Sequence, residues 1–270
     1  MIDSHTHTFH SHDGKTTLPE LIAAAKEKGL SYLAITEHLD RDYYYCCKER
    51  FARQLNLKRY SSDFEKNKNL AGDMPLAFGV ECGYLGKARA RYVKDFSKYN
   101  FDVIINSVHT VDGGDLYFMS PEKLSDRNYV FGKYLEAVLE SLDGLPDYDI
   151  VGHVGYVARY VKFENRSLYT PEFYGIIDDI LGKIIEKDKT LELNTNVKDL
   201  PYPFLPEPAI LKRYFALGGR NITFSSDAHI ANKLCFGYET AAEEAKKIGF
   251  TEWTTYLGRE KRTILIKSDL

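Results

Sequence analysis

Seven short apolar runs, each closing on a histidine, a carboxylate or a small polar residue, constrain this 270-residue chain more than any other feature. They end near His5, Thr36, Glu81, Ser107, His153, Asn194 and Ser225. Tyr32-Leu33-Ala34-Ile35, Leu76-Ala77-Phe78-Gly79-Val80, Asp102-Val103-Ile104-Ile105 and Leu191-Glu192-Leu193 are examples. Their length and near-continuous apolarity suit strands covered on both faces. Between them the apolar residues recur at helical spacing. Helices are predicted over 18–28, stopped by Gly29, and over 131–142, 173–187 and 208–217. Strand–helix units in series predict an α/β chain with a parallel sheet. Two architectures fit: an open doubly wound sheet, or a distorted seven-stranded (β/α) barrel of TIM-barrel type. In a barrel, the C-terminal ends of all strands converge on one site. In an open sheet they spread along a line. The polar residue at every strand end therefore favours the barrel, with residues 1–270 as one domain.

Composition excludes some functions. A net charge of -3 with no basic stripe makes nucleic acid an unexpected partner. No apolar run approaches the roughly 18 residues of a membrane span. Met1-Ile2-Asp3-Ser4-His5 has neither the charged lead nor the apolar stretch of a secretory leader. Cys46, Cys47, Cys82 and Cys235 form no disulfide framework, and the adjacent pair suits a reducing cytoplasm. Cys82 follows Glu81 on a strand, so it faces the other way and reads as packing.

All eight histidines lie in the segments that close the strands: His5, His7, His10, His12, His38, His109, His153 and His229. None is spent on a predicted helix. His5 and His7 are two apart, so they share a strand face and can grip one ion. Asp227 and His229 repeat that spacing at the last strand. Glu81 ends an apolar run, where an unpaired carboxylate is costly to bury and a bridging metal role offsets that cost. His12 lies in the polar turn beyond His7. His10 reads equally well as a loop histidine or as support for a neighbour. The set offers nitrogen and oxygen donors and no thiolate, which suits Zn, Mn, Fe or Co. A metal cluster sharing a carboxylate can activate water and neutralise both oxygens of an in-line displacement, as phosphate ester hydrolysis requires.

The series His5-x-His7, Glu37-His38, Glu81, His109, His153 and Asp227-x-His229 resembles the polymerase and histidinol phosphatase (PHP) superfamily over essentially the whole chain. The resemblance implies a distorted seven-stranded barrel with three divalent metal ions. It implies one ion on His5, His7, Glu81 and Asp227, a second on Glu81, His109 and His153, and a third on His12, His38 and His229, with His10 the alternative to His12. The stretches Asp3–Gly14, Gly79–Leu85, Gly152-His153 followed by Arg159, Leu191–Thr195 and Phe224–His229 are most similar to histidinol-phosphate phosphatases. That likeness implies hydrolysis of a small phosphate monoester, L-histidinol phosphate, in histidine biosynthesis. A nucleotide or phosphotyrosine phosphatase, or an inactive metal-bound regulatory domain, are the alternatives.

Several roles follow as expectations. Glu81 holds two ions together. Asp227, His229 and a metal-bound water are candidates for the leaving-group acid. Arg159 offers a planar fork of donors that matches phosphate; its other reading is a helix-surface arginine. Glu192 and Asn194 share one face of a strand and are expected to touch substrate, or else to pair structurally inside the barrel. Tyr43, in the run Tyr43-Tyr44-Tyr45, is expected to wall the pocket.

Overall fold

The computed structural model describes residues 1–41, 54–120 and 122–267. Strands and helices alternate through β1 (Ile2–Asp3), α1 (Leu18–Glu27), β2 (Tyr32–His38), α2 (Leu57–Asn67), β3 (Leu76–Gly83), α3 (Arg89–Lys98) and β4 (Val103–Ser107). A small hairpin, β5 (Thr110–Val111) and β6 (Gly114–Asp115), follows before α4 (Arg127–Gly144) and β7 (Ile150–Val151). The series then runs through α5 (Tyr174–Glu186), β8 (Thr190–Asn194), α6 (Pro208–Ala216), β9 (Ile222–Ser225) and α7 (Tyr238–Ile248). It ends in an antiparallel hairpin of β10 (Glu252–Leu257) and β11 (Glu260–Leu265).

Seven strands pair in parallel in the order β1-β2-β3-β4-β7-β8-β9. The sheet then curls until its two edges meet. Ser4 N donates to the Phe224 carbonyl at 3.0 Å, Asp227 N to that of His5 at 2.9 Å, and His7 N to that of Ala228 at 2.9 Å. This is the seven-stranded (β/α) barrel expected, and the open-sheet alternative falls. Close strand approach requires glycine at one point: a Cβ on Gly79 would stand 2.8 Å from the Val103 carbonyl oxygen.

The helices sit where the apolar spacing put them, and their ends have local causes. α1 opens with a capping box, in which Thr17 and Glu20 satisfy each other's backbone N–H groups, and closes at Gly29 with φ 66°. α2, α3, α7 and the terminal hairpin were not anticipated. α2 buries only Leu57, Tyr60 and Phe64, so its charged face hides the helical period. The hairpin packs across the N-terminal end of the barrel. Tyr32 Oη donates to the Tyr256 carbonyl at 2.8 Å, and Thr190 and Tyr256 hydroxyls meet at 2.8 Å. Trp253 is fully buried against Tyr238. The opposite end is thereby left as the open one. No helix among the described residues is long and apolar enough to cross a membrane.

Candidate metal centre

β1 stops at Asp3, and the extended chain beyond it carries His5 and His7 inward on one face. Their Nε2 atoms lie 3.0 Å apart. Glu81, near the end of β3, stands among the imidazoles and divides them. Its Oε2 is 3.4 Å from His5 Nε2, 3.7 Å from His7 Nε2 and 2.7 Å from His38 Nδ1. Its Oε1 turns to His109 Nε2 at 3.1 Å and His153 Nε2 at 2.8 Å.

Asp227 follows β9 with φ 53°, a left-handed conformation rare outside glycine and typical of strained functional positions. Its Oδ1 lies 3.4 Å from His7 Nε2 and 3.9 Å from His5 Nε2. Its Oδ2 faces Arg159 and the Asn194 and Asn196 amides, each at 3.4 Å. A third group gathers His12, His38 and His229, with His38 and His229 Nε2 atoms 3.4 Å apart. Asp13 joins it, 3.1 Å from His229 Nε2 and 3.6 Å from His38 Nε2. Sequence reasoning missed Asp13; the only cue was its place beside His12 ahead of Gly14.

The residues fit divalent ions on hydrogen-bond accounting alone. Nitrogens bound to one ion at about 2.1 Å are separated by roughly 3.0–3.4 Å over octahedral to tetrahedral angles. His5–His7, His109–His153 and His38–His229 show 3.0, 3.3 and 3.4 Å. His38 Nδ1 and Glu81 Oε2, though 2.7 Å apart, are buried and make no aligned hydrogen bond. Four sets of three donors lie within 4.8 Å of one another: His5–His7–Glu81, His38–Glu81–His109, His7–His38–His229 and His12–Asp13–His38. The charge balance agrees. Burial pushes Glu81 up, yet His5, His109 and His38 outweigh it and hold the carboxylate well below its usual range. Burial likewise opposes an ionised Asp227, and His5, His7, His229 and Arg159 reverse that. Burial works against charge on His109, but Glu81 and Asp40 lift it to about 10. These carboxylates draw positive charge, which protonated imidazoles supply and a metal ion would supply in their place.

A second layer holds these groups. Glu192 and Asn194, expected against substrate, are fully buried and do not line the cavity. Glu192 Oε1 takes His5 Nδ1 at 2.6 Å, and Oε2 accepts from the His153 backbone N–H. Asn194 Oδ1 accepts from Arg159 Nη2 at 2.7 Å. Both make their contacts inside the barrel. The Arg159 side chain is only 3% exposed, so it is not a helix-surface arginine. It follows the left-handed Gly155 on a short 3-10 turn, stacks on Tyr156 and lines the cavity. His10 is buried against Tyr60 and pairs with Asp63 at 3.0 Å, away from the cluster. Tyr43 lies outside the described residues.

All three groups border one cavity of about 1110 Å³ at the C-terminal ends of the strands. Beyond the histidines its wall mixes aromatic with polar and charged side chains. Tyr156 packs on His109 and His153 and hydrogen-bonds to Tyr160, while Tyr117 and Phe236 stand exposed at the mouth. Asp115, also absent from the sequence expectations, contributes a carboxylate to the same wall.

The sequence profile of the PHP domain family matches residues 3–196. A probable histidinol-phosphatase of Clostridium acetobutylicum is 30% identical over 249 residues, covering 91% of this chain and 93% of that protein. Among solved structures, histidinol phosphate phosphatase from Lactococcus lactis, complexed with Zn, L-histidinol and phosphate, superposes with a TM-score of 0.86 at 27% identity. The match covers 97% of this chain and 98% of that one. A putative histidinol phosphatase from Listeria monocytogenes shares the fold, with a TM-score of 0.78 at 22% identity over 89% of this chain and 99% of that one.

Proposed function

The chain belongs to the PHP domain family, and from that premise we propose that it is a metal-dependent histidinol-phosphatase. It hydrolyses L-histidinol phosphate to L-histidinol and phosphate, a step of histidine biosynthesis. The carrying observation is one cavity in which a carboxylate-divided histidine cluster faces a buried guanidinium, Arg159. The Lactococcus relative, bound to Zn, L-histidinol and phosphate, supports the substrate and the use of divalent metal.

We assign three ions, Zn, Mn or Fe, to this centre. His5, His7, Glu81 and Asp227 would hold the first, Glu81, His109 and His153 the second, and His12, His38 and His229, aided by Asp13, the third. When bound, such ions polarise phosphoryl oxygens and activate water. The protein's own groups do the rest. Glu81 would serve the first two sites, since Oε2 faces His5 and His7 while Oε1 faces His109 and His153. Arg159, held by Asn194 and Asp227, presents donors to phosphate and to the charge that grows as the P–O bond breaks. His229 Nδ1 lies 2.9 Å from the Asp227 carbonyl, so its Nε2 faces the cluster. We take residues 1–270 as one domain around this site. A cytoplasmic location suits the free cysteines Cys82 and Cys235.

The amino-imidazole end of the substrate is cationic or nearly so. Asp115 is a carboxylate of the cavity wall, one oxygen capping Tyr117 N at 2.8 Å, with Tyr156 and Tyr160 within electrostatic reach. We assign it to that end, in place of Glu192 and Asn194. Phosphate release should be measured over L-histidinol phosphate, nucleotides, phosphotyrosine and p-nitrophenyl phosphate, with metals titrated. L-Histidinol phosphate should exceed the aryl phosphate by about 10⁴-fold in kcat/KM, as a site that hydrogen-bonds its substrate does. Asp115→Asn should shrink that ratio by about 10-fold or more. A preference for a nucleotide would overturn the substrate assignment.

A further inference from the structure

His7 Nδ1 lies 3.1 Å from Ser11 Oγ, and that hydroxyl is itself held by Glu37. Glu37 is completely buried and is ringed by donors. Thr8 N reaches Oε1 at 3.0 Å and Oε2 at 3.2 Å, Ser11 N reaches Oε2 at 2.9 Å, and the hydroxyls of Thr8 and Ser11 close on one oxygen each. Both oxygens take a backbone N–H and a hydroxyl, an arrangement in which the group acts as an acceptor. The Ser11 proton therefore points at Glu37. A hydroxyl has one proton, so Ser11 has none left for His7. Its lone pairs accept, one of them from the His38 backbone N–H at 3.0 Å. His7 Nδ1 must then carry the hydrogen, and its Nε2 carries the lone pair.

The same logic fixes His5 from the other side, because Glu192 accepts from His5 Nδ1 at 2.6 Å. With both imidazoles neutral, as metal binding requires, two Nε2 lone pairs face each other at 3.0 Å, a contact that a shared proton or a metal ion between them makes favourable. We propose that Glu37 and Ser11 form a relay that locks His7 in the metal-binding tautomer, making both of them positioning residues for the centre. The inference rests on the reading of His7 as a ligand. Such outer partners orient a ligand and raise its basicity.

The test is the affinity of the full-length protein for Zn²⁺ at about pH 8, by competition with a chromogenic chelator, which reads binding without turnover. Ser11→Ala removes the acceptor with little change of shape and should weaken the tightest-affected site by about 10- to 100-fold. Ser11→Thr, which keeps the hydroxyl, should recover most of it. Glu37→Gln should cost more than Ser11→Ala if it folds, because an amide donor lets the Ser11 proton swing to His7 and reverses the tautomer. His7→Ala separates the two ideas. If it leaves Zn²⁺ affinity unchanged, His7 is not a ligand and the metal assignment fails. If His7→Ala loses affinity while Ser11→Ala keeps the wild-type value, the relay is overturned and the metal assignment stands.

Discussion

The two ends of this barrel carry buried charge in opposite ways. At the N-terminal end, carboxylates find donors in the protein. Asp102 accepts from Phe78 N at 2.8 Å and Gly258 N at 2.7 Å, and Asp149 from Ile104 N at 2.8 Å. Arg259, at the turn of the terminal hairpin, adds ion pairs to Asp149 at 2.7 Å and Asp147 at 2.9 Å. At the C-terminal end, imidazoles and carboxylates converge on one another around Glu81 and Asp227 at the wall of a cavity. Buried charge concentrated at a cavity wall marks where a ligand completes the structure. One end supplies stability and the other supplies chemistry.

The sharpest way to break this contrast is at Glu81. Glu81→Ala should lower kcat/KM by about 10³-fold or more and reduce bound metal, while far-UV circular dichroism stays native. Loss of the fold instead would mean that the upper end also holds the barrel together. Next comes Arg159. Arg159→Ala should raise KM for L-histidinol phosphate and slow turnover, together costing about 10²-fold, with metal content by elemental analysis unchanged. Arg159→Lys should recover only part, since an ammonium lacks the bidentate fork. Wild-type kinetics for the alanine variant would remove Arg159 from the site.

The upper end was the more legible of the two, for a physical reason. Ligand chemistry restricts residue type, so His5, His7, His109 and His153 stand out in a sequence, and a strand's period of two tells which share a face. Depth is not encoded that way. Glu192 and Asn194 point into the barrel as their spacing requires. Yet Glu192 lies beneath His5 and His153, because its height depends on the register of β8 against β9, where Glu192 pairs with Thr223. Asp13 and Asp115 were missed since an isolated aspartate beside glycines reads as an ordinary turn residue. The lower end was barely legible. Its hairpin turns at Gly258 and Arg259, with φ 61° and 65°, and arginine is not a residue that announces a turn needing positive φ twice.

At the lower end the largest effect should come from Arg259→Ala. It removes the ion pairs to Asp147 and Asp149 and leaves Asp149, which is 7% exposed, without its cationic partner while the Ile104 N–H remains. Because Arg259 is itself 27% exposed, water recovers part of the loss. A decrease of about 1–3 kcal/mol in urea-unfolding stability is expected, with kcat/KM within about twofold of wild type. A large fall in kcat/KM would show that the hairpin tunes the site through the strands, and the two ends would no longer be separable.

The smallest effect tests whether burial, and not ion pairing as such, makes the lower end strong. Asp143, in the last turn of α4, pairs with Lys183 and, at 2.8 Å, Lys187 of the neighbouring helix end. Hydrogen bonds from the two lysines draw its pKa down from 3.8 to about 2. A carboxylate depressed in the folded state adds stability above its unfolded pKa and loses it as the pH falls through the folded value. The contribution should therefore be complete above about pH 4 and gone near pH 2. The side chain is 57% exposed, so solvent screens the pair and the contribution is at most a few tenths of a kcal/mol, shrinking further in salt. Asp143→Asn should accordingly leave unfolding at pH 7 almost unchanged and flatten the acid limb only slightly. If it cost as much as Arg259→Ala, charge pairing alone would account for the lower end, and the contrast with the upper end would have to be drawn on charge rather than on buried satisfaction.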